Sequence, residues 1–144
     1  MLRNKLLLFV LLMAGSLFAQ IEAILIAKNF DKPLYITNYP GYNNQLLVVQ
    51  QDGIIRIIED NKVQITPFLD ISDRTHQPLY PADEMGMLGF TFHPQFNENK
   101  YFYVNYVDKD DFTIISRFTV HNKLGNVDLK KILIKLKQPF MNHN

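Results

Sequence analysis

Cysteine and tryptophan are both absent from the 144 residues. Without cysteine the chain can form no disulfide framework, thiolate metal centre or thiol nucleophile. An excess of charge of one sign is missing too, since fifteen Lys and Arg against fourteen Asp and Glu leave a net charge of +1. Neither nucleic acid nor an anionic membrane therefore has an electrostatic claim on the chain. There is no glycine-rich phosphate loop and no low-complexity segment, and no apolar run is long enough to span a bilayer. What remains is ordinary globular composition, 47% hydrophobic and 20% charged, which suffices for one modest core.

The N-terminus differs in kind from the rest. Arg3 and Lys5 precede the uncharged run Leu6–Met13, then come the small residues Ala14-Gly15-Ser16 and finally Leu17-Phe18-Ala19-Gln20. A basic start, a short apolar stretch and a small residue before a polar one describe a secretory signal helix, residues 1–19, with cleavage expected after Ala19. The run is too short for a retained anchor. This implies a secreted or periplasmic location, with no membrane association beyond export.

From residue 20 onward the pattern is β. Short apolar or alternating segments are divided by turn-forming residues. Strands are expected at Ile24–Ala27, Leu34–Thr37, Leu46–Val49, Ile54–Glu59 and Lys62–Phe68. Leu46-Leu47-Val48-Val49 is a continuous apolar run, as in a strand covered on both faces. Asp70 to Asp83, with Pro78 and Pro81, is the longest irregular stretch, and loops of that length are often functional. Further strands are expected at Thr113–Val120 and Lys130–Leu136, with a polar turn over His121–Val127. Evenly spaced short strands suggest a propeller, barrel or sandwich.

The most informative run begins Asp83-Glu84-Met85-Gly86-Met87-Leu88-Gly89-Phe90-Thr91-Phe92-His93-Pro94. Two glycines flank Met87-Leu88, where a strand wants side chains, and this marks a bulge or the close approach of another backbone or ligand. Pro94 ends the strand by removing a ladder donor. A polar turn, Asn97–Lys100, then leads into the aromatic strand from Tyr101, giving a hairpin.

This run resembles the Gly-Leu-Leu-Gly-x-x-Phe-His-Pro segment of the glucose/sorbosone dehydrogenase family, which comprises soluble quinoprotein sugar dehydrogenases and the propeller of hedgehog-interacting proteins. Other pieces follow in the family's order: Leu46–Ile58, Pro67-Phe68-Leu69-Asp70-Ile71-Ser72, Ser116-Arg117-Phe118 and Gln138–Asn144. The resemblance implies an all-β, six-bladed propeller of which residues 20–144 would supply the first two to three blades, the N-terminal portion of something longer. A blade takes roughly 40–50 residues, so the remaining blades would be needed for closure.

The implied activity is oxidation of an aldose C1 hydroxyl by hydride transfer to pyrroloquinoline quinone, with calcium also bound and an electron acceptor as partner. His143 would be the general base, and Glu84 and Asn142 would contact the cofactor; no residue of this chain is assigned to metal. Glu84 departs from the glutamine that quinoprotein members place nearby, because a carboxylate replaces an amide donor beside an anionic cofactor. The alternatives are a non-catalytic propeller that binds protein or glycan, and an inactive truncated product.

The residues themselves offer blander readings for the other candidates. His93 is expected to be a turn histidine held by Pro94. Asp83 and Glu84 are adjacent on an extended chain and should face opposite ways. Asp70, Asp73 and Asp83 lack the spacing of a calcium loop and are expected to be solvated turn carboxylates. Tyr101 and Tyr103 should share one face of their strand, with Tyr106 on the other.

Overall fold

The computed structural model describes residues 21–140, which form two antiparallel sheets side by side. The first sheet holds β1 (Pro33–Tyr39), β2 (Tyr42–Gln50), β3 (Ile54–Glu59) and β4 (Lys62–Val63) in that order, with β5 (Leu69–Asp70) also paired to β3. The second holds β6 (Met87–Phe92), β7 (Tyr101–Val107), β8 (Phe112–His121) and β9 (Leu124–Lys137) in sequence order. A one-turn helix, α1 (Phe96–Asn99), stands where a polar turn was expected between β6 and β7. It ends at Lys100 in the left-handed conformation and buries Phe96.

The alternation along the strands decides which faces meet. Leu47 and Val49 on β2 and Ile55 and Ile57 on β3 point to one side of the first sheet. They meet Phe90, Phe102, Val104, Tyr106, Ile114 and Phe118 from the second. Aromatic rings fill the seam: Phe102 stacks on Phe118 at 5.4 Å between centroids, Tyr39 stacks on Phe92 at 5.6 Å, and Phe68 meets Phe90 edge-on at 6.0 Å. Offset and edge-to-face pairs of this kind add to the area they bury. Tyr101 and Tyr103 lie on the opposite face of β7 from buried Phe102, Val104 and Tyr106, as the alternation requires.

The sheets are also joined through backbone. The Gly125 N–H on β9 donates to the Phe68 carbonyl at 2.7 Å. A Cβ at 125 would lie 2.8 Å from Phe102 Cζ, 2.9 Å from Leu69 Cδ1 and 3.2 Å from the Phe68 carbonyl oxygen, so any larger residue would have to push these neighbours aside.

Three further expected elements differ from the structure. Ile24–Ala27 forms no strand, and Ile24 and Leu25 are largely exposed, because no strand among the described residues pairs with it. The strand expected over Lys62–Phe68 stops at Val63, and after Pro67, which has no ladder donor, the chain returns to β3 through the Phe68 N–H and β5. The polar turn expected over His121–Val127 contracts to Asn122-Lys123, both at positive φ, and β9 starts at Leu124. Two residues at positive φ are what a two-residue hairpin turn demands. The signal segment 1–19 and residues Asn142 and His143 lie outside the described residues.

Candidate functional site

At one end of the sheets three connections gather: the β2–β3 turn at Gln51–Gly53, the long loop 71–86, and the β7–β8 turn at 108–111. Hydrogen bonding accounts for their meeting. Asp70 Oδ1 accepts the Ser72 N–H at 3.0 Å and its hydroxyl at 2.7 Å, which turns the chain into the loop. Thr75 bridges to Asp108, and the His76 N–H donates to the Val107 carbonyl at 2.8 Å. The Gln77 side-chain amide lies within 3.1 Å of the carbonyls of Asp52, Ser72 and Thr75.

Gln51 is the hinge between the sheets. Its backbone carbonyl accepts the Met87 N–H at 2.8 Å, and its buried side-chain Nε2 reaches the carbonyls of Asp83 at 2.6 Å and Met85 at 2.8 Å. Gly86, at φ +125°, fits against it, and a Cβ there would run into the Gln51 carbonyl oxygen. The Gly86 carbonyl in turn accepts the Val107 N–H at 2.8 Å. Gly86 is thus the close backbone approach expected of the glycine-flanked run. Gly89 is different, meeting only Asn105 Cβ at 3.4 Å.

Asp83 is not the solvated carboxylate expected. Its side chain is 1% exposed, because every oxygen has a donor. Oδ1 accepts the Met85 N–H at 3.0 Å; Oδ2 accepts the Leu79 N–H at 2.9 Å and faces His76 Nε2 at 3.2 Å. Burial alone would raise its pKa, but these backbone donors and the imidazole outweigh burial and hold the carboxyl below its ordinary range. Glu84, the next residue, is exposed, so the two carboxylates do face different ways.

The remaining candidates fall as the residue types suggest. His93 Nδ1 accepts the Gln95 N–H at 3.0 Å and contacts Asn99 Nδ2 at 2.8 Å, which makes it part of the turn after β6. Asp73 pairs with Arg74 through contacts of 2.8 and 2.9 Å, and that guanidinium lowers its pKa. Among the described residues no group of three or more His, Asp or Glu is placed to hold a metal ion. The structure therefore brings Asp83 and Glu84 to the gathered end, while His143 and Asn142, expected beside them, are outside the described residues. His76 and Gln51 escaped sequence reasoning. The only local signal was the Asx-type spacing of Asp83 to Met85, which says nothing of either partner.

The family model for "Glucose / Sorbosone dehydrogenase" matches residues 30–143. The chain belongs to that family. The fold agrees with solved members of the same architecture. The PQQ-bound form of aldose sugar dehydrogenase from Streptomyces coelicolor superimposes with a TM-score of 0.58 at 17% identity, over 78% of this chain and 32% of that one. The apo form of the soluble aldose sugar dehydrogenase of Escherichia coli gives 0.55 at 17% identity, over 73% and 30%. The human hedgehog-interacting protein is 26% identical over 70 residues, 48% of this chain and 10% of that protein. The chain thus spans about a third of the solved dehydrogenases it matches and a tenth of that curated relative. Its two sheets are two blades of a glucose/sorbosone dehydrogenase propeller.

Proposed function

We propose that this chain supplies the first wall of the substrate site in an exported aldose dehydrogenase that uses pyrroloquinoline quinone and calcium. The family match across residues 30–143 carries the reading, and the built junction of Gln51, Asp83 and Gly86, with exposed Glu84 beside it, supports it. Export rests on the leader pattern of residues 1–19, and the base and second cofactor contact rest on His143 and Asn142.

The described residues do not by themselves fit the quinone. Only Glu84 stands at an implied contact, and its carboxylate accepts hydrogen bonds without donating any and carries the same sign of charge as the quinone's own carboxylates. No chemical step is therefore assigned to it. The role left to these residues is to bound the site and exclude water from one side.

The test is aldose-dependent reduction of an electron-acceptor dye by the full-length protein, supplied with quinone and calcium and offered a panel of aldoses. Reduction that requires all three additions supports the reading. A folded full-length protein that reduces no dye with any aldose overturns it. The second reading is a non-catalytic propeller that binds protein or glycan; Glu84 in place of an amide and the similarity to hedgehog-interacting protein favour it.

A further inference from the structure

Among the described residues, His76 has a carboxylate oxygen facing each ring nitrogen. Nε2 lies 3.2 Å from Asp83 Oδ2 and Nδ1 lies 3.7 Å from Asp111 Oδ1. The imidazole is largely buried, with 13% of its side chain exposed. Its backbone N–H is fixed to the Val107 carbonyl, so the ring is held at the end of β7. A neutral imidazole has one N–H and can donate to only one of the two carboxylates, turning a lone pair toward the other. An imidazolium has two and serves both.

The surroundings continue the alternation of charge. Asp111 is met from β9 by Lys137 Nζ at 3.8 Å, and Lys135 holds the neighbouring Asp108 at 3.2 Å. On the other side Asp83 is fixed by the Leu79 and Met85 N–H groups, and its backbone carbonyl by Gln51. A run of polar contacts therefore links Lys137, Asp111, His76 and Asp83, the residue before Glu84.

We propose that protonated His76 is a positioning residue: it bridges Asp83 and Asp111, locks the end of the 71–86 loop onto the β7–β8 turn, and so sets where Glu84 projects. Loss of the proton removes one of the two bridges and loosens that end of the loop. The consequence for ligand binding rests on Glu84 facing the site, as read above; the bridge itself does not.

The experiment is an NMR pH titration of the labelled full-length protein without quinone, following the His76 ring, the Leu79 and Met85 amides and the Glu84 carboxyl carbon. In the wild type the Glu84 and amide signals move together with those of the His76 ring, and amide protection falls about threefold as the ring loses its proton, the worth of one partly exposed ion pair. His76→Gln abolishes that step, because its amide has no such proton to release. Asp111→Asn removes the charge that the second ring nitrogen faces, so the pH-dependent step in Leu79 and Met85 protection shrinks or disappears. His76 titrating while Leu79, Met85 and Glu84 stay still would overturn the proposal. Should His76→Gln fail to fold, Asp111→Asn decides alone; Asp111 is 46% exposed on a turn, and an unchanged protection step there is equally fatal. No quinone is involved, so a negative dye assay leaves this result intact.

Discussion

The seam between the two sheets and the 71–86 loop are held by different forces, although Met87 belongs to one and follows directly from the other. The seam is apolar and aromatic, with Leu47, Val49, Ile55, Phe102, Val104 and Phe118 each exposing no more than 0–1% of their surface. Its stability scales with area removed from water and carries no charge to titrate. The loop buries little apolar surface beyond Ile71 and Met85. It is held by Gln51, Gln77, Asp83 and His76, whose value lies in every donor finding an acceptor. A fold built this way joins an apolar seam with no charged side chain to titrate to a polar loop that carries titratable groups.

The largest break in that comparison comes from the seam. Phe102→Ala removes the ring stacked on Phe118 and should cost about 3–5 kcal/mol of unfolding free energy, measured by denaturant titration. Gly86→Ala attacks the junction of the two regions. At φ +125° and with the Gln51 carbonyl in the way, it should cost about 2–3 kcal/mol and displace Met87 from its bond to Gln51, visible as lost protection of the Met87 amide. Asp83→Asn replaces an acceptor by a donor against the Leu79 and Met85 N–H groups and should cost about 2 kcal/mol, most of it as local opening of the loop. Asp73→Ala removes an exposed pair with Arg74 and should change stability by less than about 0.5 kcal/mol in thermal melts.

Acid sharpens the same contrast. The folded pKa of Asp83 lies below its ordinary value, so its contribution is present above the ordinary carboxylate pKa and is lost as pH falls through the lowered one. Amide exchange should therefore show Leu79 and Met85 losing protection in acid before Val104 and Phe118 do. Simultaneous loss at all four would place the loop and the seam in one unit.

How far the sequence was legible follows the same division. β3 was readable to the residue, Ile54–Glu59, because its isoleucine-rich run is bounded by Gly53 and Asp60. The buried β2 core and the aromatic hairpin were readable for similar local reasons. Gly86 was recognised as a close approach, though not which backbone approaches it. The loop's interior was not legible. Asp83 reads as a turn carboxylate until Leu79, Met85 and His76 are placed around it, and His76 gains meaning only from Asp111, thirty-five positions later. Periodicity reports burial along one element; it is silent on polar partners from three separate connections. Ile24–Ala27 shows the converse, since strand-like residues form no strand where no neighbour offers a ladder.

The proposal that the end of the blades bearing Glu84 faces a quinone is tested most directly by equilibrium dialysis of pyrroloquinoline quinone against the full-length protein with calcium present. The account predicts saturable binding that becomes tighter in Glu84→Gln, because an amide removes a like charge and adds a donor. Absence of binding in both proteins, each shown to be folded, would contradict it and leave the non-catalytic propeller as the reading of this site.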